Sequence, residues 1–389
     1  MQKRLLLRLA ILTFWFGSFG GAKSGPVPSV KAPDIVIDLA RFGWTPPHFE
    51  SNRDFFKDFS LAKMFAVDGN TNVIYLAEEL VVAYHSKQDG KDWRSPRRME
   101  VFFINTKDGS LLATKNWLTR PRTSIDERYD SEARIIALHD GHFLVFANGV
   151  LMLYNAKLEL LKQQELRPYT QNDIWSMQAV PGGRAVFLQH ASTSGQVTYL
   201  WLSSDTLEVQ YQMSGCRVDD SVGSVSAAQE AVFIRSRSGI RKCDRDQHLS
   251  TVSNILLDRG AGDIRMLSSQ YLGVSADSGI GVIDVDHGVV WVKATNRKYR
   301  RNYFMFGEMR PAMSGTRFAV WVAAYHKALF DDVEIKADPT ILVYDIANPK
   351  SPISILFKPV SGEWDFSFSP KGEKLAIFSA GRVQSFSLD

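Results

Sequence analysis

Most of the chain is written in short runs of alternating apolar and polar residues, broken by turns rich in Gly, Asp, Asn and Ser. "ARIIALHDGHFLVFANGVLMLYNAKLELLKQQEL" (133–166) is the clearest case. Its period of two is that of β-strands, and its interruptions carry turn chemistry. Helical periodicity is nearly absent after the first two dozen residues. The same plan of strand, turn, strand, turn, strand, turn, strand recurs at 71–118, 173–213, 219–257, 263–295 and 304–359. The closing stretch, 363–389, repeats it with three strands only.

A lone four-stranded unit cannot bury both of its faces, and stacking units around an axis buries them. Sandwiches do not repeat one strand plan in this way, and solenoid rungs are shorter. The predicted fold is therefore all-β, a seven-bladed β-propeller of four-stranded antiparallel blades. An open ring would leave edge strands unpaired. "DIVIDLA" (34–40) reads as the strand that completes the last blade from outside. Residues 41–60 would then cross to the first blade, with Pro46 and Pro47 breaking regular structure.

These units resemble the broad bacterial propeller group called WD-repeat-like or YVTN-like. "FSFSPKGEKLAIFSAGRVQSFSLD" (366–389) is similar to its form with a Ser-Pro-x-Gly turn. "VFFINTKDGSLLATKNW" (101–117) and "GVIDVDHGVVWV" (281–292) resemble blades of quinoprotein type. The Gly-His and Trp-Asp dipeptides of true WD repeats do not recur, and the blade tryptophan is present in only some units. The resemblance implies an architecture, not a chemistry, and carries no quinone.

Residues 1–24 read as an export signal: Lys3, Arg4 and Arg8, then the apolar run "LAILTFWFGSFGG", then small residues at Ala22 and Ser24. The run falls short of the roughly 20 residues of a membrane span. This divides the chain into a signal peptide, 1–24, and one propeller domain, 25–389. The expected location is periplasmic or extracellular. The whole chain holds 46 Lys and Arg against 42 Asp and Glu. Four of the basic residues (Lys3, Arg4, Arg8, Lys23) belong to the signal, so the exported part has no net charge. That removes the electrostatic case for nucleic acid. A monomer without a stable membrane span is expected.

Export allows Cys216 and Cys243 to pair. The strand order argues against it. Cys216 follows an outermost strand, on one face of the ring, and Cys243 lies late in a third strand that runs toward the other.

Propeller topology places the loops between second and third strands on the same face as the blade-to-blade connections. Both long insertions, 86–98 in blade 1 and 327–339 in blade 6, fall there. Long loops on a rigid scaffold favour an interaction face. Candidate ligand-binding residues on that face are Arg94, Arg97 and Arg98 in "WRSPRR", and Tyr299, Arg300 and Arg301 in "TNRKYRR". These could hold an anionic sugar or a phosphate, or be solvated surface. His85 and His326 end matching second strands and would anchor the loop bases; with His190 they are too far apart to share a zinc ion.

Asp173, Asp219 and Asp263 begin the innermost strands of three successive blades. They either cap those turns or ring a divalent cation such as calcium. No nucleophile elbow, phosphate-binding glycine loop, Cys-x-x-Cys or His-Glu-x-x-His is present. The function expected is a scaffold, without cofactor, binding a protein or carbohydrate ligand. The alternative is a metal-assisted hydrolase or lyase with its site at the channel mouth.

Overall fold

The computed structural model describes residues 31–46, 71–88, 95–118, 134–147, 149–166, 174–191, 197–216, 221–254, 262–276, 279–294, 302–327, 333–335, 340–349, 352–356 and 364–389. They form seven antiparallel sheets arranged as the blades of a propeller. In the first six blades the strands follow one another in sequence from the axis outward. The expected export signal, within residues 1–30, and residues 47–70 lie outside the described residues.

The ring closes as the pattern predicts. Ile35–Asp38 pairs antiparallel with the last strand, Arg382–Ser387, in the register Ile35↔Ser385 to Asp38↔Arg382. The strand then stops. Asp38 accepts the Ala40 N–H at 3.0 Å and starts a short 3-10 turn, Leu39–Phe42. Gly43 ends that turn with φ +89°, a conformation glycine adopts without penalty. Trp44 follows and packs between the last blade and the first.

Period-two alternation explains why the blades hold together. Successive side chains of a strand point to opposite sheet faces, and here each face meets a different neighbouring blade. In the second strand of blade 1, Val81 and Ala83 join Ala376, Phe378 and Val383 of blade 7. Leu80 and Val82 join Ile135, Phe143 and Val145 of blade 2. The same division recurs around the ring, so each of the seven seams has its own hydrophobic cluster. Middle strands are consequently buried on both faces: Phe143–Ala147, Ala231–Ser236 and Gly279–Asp284 are buried throughout. Outermost strands show one face to solvent, with Leu111–Leu118 alternating half-buried and exposed.

The expectation against a disulfide is overturned: Cys216 and Cys243 are bonded, with Cα atoms 6.2 Å apart. Sorting strand ends into two faces treats a blade as flat. Each strand is rotated by roughly 20–25° against its neighbour. By the fourth strand the direction has swung far from the axis. The outer strand of blade 3, Val209–Ser214, therefore sweeps across the outside of blade 4. There the Tyr211 hydroxyl donates to the Arg245 carbonyl at 2.8 Å, and Cys216 reaches the third strand of that blade.

Candidate functional site

The two insertions are hairpins that continue the blades rather than loose loops. In blade 1 the second and third strands run on as Leu80–Gln88 and Arg97–Asn105, paired out to Gln88↔Arg97. In blade 6 the second strand is Arg317–Lys327, and an extra strand, Val333–Ile335, pairs with Tyr325, His326 and Lys327. Second strands of blades 2 to 5 span five to seven residues. Both extensions project on one face, in the two blades flanking blade 7.

His85 sits at the root of the blade 1 hairpin and is 1% exposed. Its Nε2 lies 3.0 Å from Glu100 Oε2, and its Nδ1 lies 3.3 Å from Thr71 Oγ1. Thr71 Oγ1 accepts from Trp44 Nε1 at 3.3 Å, and the Trp44 ring stacks on the imidazole. A neutral His85 with its proton on Nε2 satisfies every donor in that chain. Lys87 joins Glu100 at 2.9 Å. Burial pushes the Glu100 carboxyl up, but the hydrogen bonds of His85 and Lys87 and the charge of Lys87 outweigh it and hold the group below its ordinary value. His85 thus braces the hairpin from inside, tying it to the segment that closes the ring.

Arg97 is also buried, with Nη1 donating to Ser86 Oγ at 3.4 Å. Arg98 is half-buried and lies opposite Lys87. The backbone of His326 pairs with Asn302 and Glu334. Arg94, Tyr299, Arg300, Arg301, Asp173 and Asp219 lie outside the described residues. Asp263 is the second residue of the innermost strand of blade 5, Gly262–Met266, and its carboxylate is 4.0 Å from Arg265. A guanidinium at that distance competes with a cation for the carboxylate. Among the described residues the carboxylates and imidazole that converge are Asp244, Asp246 and His248. They form a turn of blade 4 in which Asp244 Oδ1 accepts the His248 N–H at 2.8 Å.

The densest polar chemistry lies on the axis. All seven innermost strands line a cavity of about 320 Å³. A belt of charge crosses it. Glu308 binds Arg265 at 3.0 Å with one carboxylate oxygen and Arg310 at 2.9 Å with the other. Arg310 continues to Asp365 at 2.5 Å and donates to the Phe366 carbonyl. The second oxygen of Asp365 accepts the Val73 N–H at 2.7 Å, across the seam where the ring closes. On the other side Arg265 reaches Gln178 at 3.4 Å, Gln178 accepts from Ser226, and Ser226 accepts the Met266 N–H.

Burial pushes the Glu308 carboxyl up, but Arg310 and Arg265 together overcome it and leave the group below its usual range. For Asp365 burial prevails over Arg310 and the Val73 N–H, and the carboxyl is raised. Burial alone would weaken the Arg310 cation; Asp365 and Glu308 reverse this and hold its proton more firmly. The sequence carries a signal for this belt: charged residues inside the first strands of successive blades, in "DIRM", "GEMRP" and "WDFSF".

No protein-family model matches the chain, and no curated protein matches it in sequence. Solved structures that it resembles include the WD40 domain of Neurospora crassa Pan2, at 11% identity and TM-score 0.49, covering 82% of this chain and 90% of that one. Chaetomium thermophilum Raptor matches at 12% and 0.49, over 82% of this chain and 28% of that one. TolB from Acinetobacter baumannii matches at 16% and 0.38, over 80% of both. At such values the likeness bears on shape alone. The propeller assignment rests on the strand pairing.

Proposed function

We propose that this protein is an exported binding scaffold that engages a protein or carbohydrate partner through the face carrying the two extended hairpins. The observation that carries the reading is their placement: two hairpins lengthened on the same face, in the blades on either side of blade 7. Together they flank blade 7 on that face. The first is stiffened from within by the His85–Glu100–Lys87 network, and a stiff loop loses little conformational freedom on binding. Export is supported by the signal-like segment 1–24 and agrees with the Cys216–Cys243 bond, since disulfides persist in oxidising compartments. No described helix is long and apolar enough to cross a membrane.

No observation favours a metal-dependent hydrolase or lyase over this reading, since the one described member of the aspartate set, Asp263, faces Arg265. The test is a glycan array and an affinity capture with the mature protein, repeated after replacing 89–96 and 328–339 by short turns. The expected result is a ligand retained by the intact protein and lost by the shortened one. Equal binding by both would move the interaction face elsewhere.

A further inference from the structure

The axial cavity offers something the hairpins do not. Two-fifths of the Glu308 side-chain surface remains open, as does more than a quarter of each of Arg265 and Arg310. These residues stand on the innermost strands, so that surface faces the cavity. Donors and acceptors of planar, hydrogen-bonding shape are therefore presented to a space of about 320 Å³. That is the lower end of the range for small-molecule sites, about 300–1,000 Å³.

The charged side chains that line the cavity balance, Asp263 not being one of them. Arg265 and Arg310 are matched by Glu308 and Asp365, with Asp263 beside Arg265. A net anion would meet carboxylates already in place, and a net cation would meet guanidiniums. A neutral ligand rich in hydroxyls meets neither penalty. Each hydroxyl both donates and accepts, so it can accept from an arginine and donate to a carboxylate. At the far end of the axis the turns of opposite blades approach one another. Met313, in the first turn of blade 6, reaches so far across that a Cβ placed on Gly183 of blade 3 would lie 2.9 Å from its Sδ.

We propose that the axial cavity binds a neutral polyhydroxylated ligand of one or two sugar rings, held by Arg265, Glu308 and Arg310. This deepens the carbohydrate side of the scaffold reading and rests on it.

Titration calorimetry on the mature protein, with D-glucose, D-galactose and maltose as neutral probes and D-glucuronate and D-glucosamine as charged ones, tests the proposal. At least one neutral sugar should bind with Kd of 1 mM or tighter, and ten-fold more tightly than either charged probe. Glu308→Gln keeps the shape and removes an ionised acceptor, and should weaken that sugar at least ten-fold. Wild-type protein that binds no neutral sugar tighter than 10 mM, or prefers a charged one, overturns the proposal without reference to any variant. The hairpin-shortened protein separates the two readings. It should keep the sugar, because the belt belongs to the inner strands. Loss of the sugar with the hairpins would place it outside the cavity and overturn this inference while leaving the interaction face intact.

Discussion

Asp365 is the point where the charge belt meets the seam that closes the ring. Its raised pKa shows that burial disfavours its charge by more than its partners favour it. The pair itself therefore adds little net stability, as is common for buried ion pairs. Removing one member is another matter. In Asp365→Ala the Val73 N–H, now bonded at 2.7 Å, loses its acceptor, which costs about 1–3 kcal/mol for a buried donor. Arg310 loses one of its two carboxylate partners; stranding a fully buried charge costs about 3–5 kcal/mol, and Arg310, with 29% of its side chain open, forfeits less. Glu308 still holds Arg310 at 2.9 Å and covers part of that. The total expected is about 3–5 kcal/mol. Asp365→Asn keeps an acceptor for Val73 and should lose about half as much. The double variant Asp365→Leu/Arg310→Met removes both charges and should cost less than the two single variants summed, by about 1–3 kcal/mol. Urea unfolding followed by tryptophan fluorescence measures these variants and the singles Asp365→Leu and Arg310→Met against the wild type. A cost below about 1 kcal/mol for Asp365→Ala, or strict additivity in the cycle, would refute the claim that this belt secures the closure. The pH dependence has a definite sign. A carboxyl raised in the native state binds its proton more tightly there than in the unfolded chain. Its contribution to stability falls as pH rises from the ordinary carboxylate range through the raised native value, and Asp365→Asn should flatten that slope.

The other expectations concern the same architecture. Ile37 is fully buried where the closing strand meets blades 1 and 7; Ile37→Ala should cost about 2–5 kcal/mol, and deleting 25–40 should lower the thermal midpoint far more, both read by calorimetry. Reducing Cys216–Cys243, which closes a sequence separation of 27 residues, should cost about 3–4 kcal/mol on the loop-entropy account, with greater hydrogen exchange at the seam of blades 3 and 4. A Cβ on Gly307 would fall 1.6 Å from Trp321 Nε1, so Gly307→Ala should cost about 1–3 kcal/mol and shift the tryptophan emission. The Asp286 N–H, with those of His287 and the Gln270 amide, holds the Asp284 carboxyl down to about 2 against a smaller push from burial. Its stabilising effect should be complete above the ordinary carboxylate value of about 3.9 and fade as pH falls toward about 2. Asp284→Asn should abolish that part of the acid-side slope.

The amino-acid sequence by itself determined the strands, their number per unit and the way the ring closes. All three follow from local pattern. A period of two cannot be satisfied by a helix, turn residues punctuate it, and a three-stranded last unit needs the strand at 34–40. The pairing Ile35↔Ser385 is the outcome. The tertiary structure decided what depends on direction and on distance along the chain. Whether Cys216 meets Cys243 turns on accumulated strand twist, which no residue records individually. His85 reads as a loop-base residue in sequence, yet its burial comes from Trp44, 41 positions away and brought there by the closing segment. The charge belt joins Gln178, Arg265, Glu308, Arg310 and Asp365 from blades 3, 5, 6 and 7. Each occupies a first strand, and the charges inside those strands are the one mark the sequence gives of the belt, without saying which of them meet. Only the common axis, where all first strands converge, turns four scattered charges into one site.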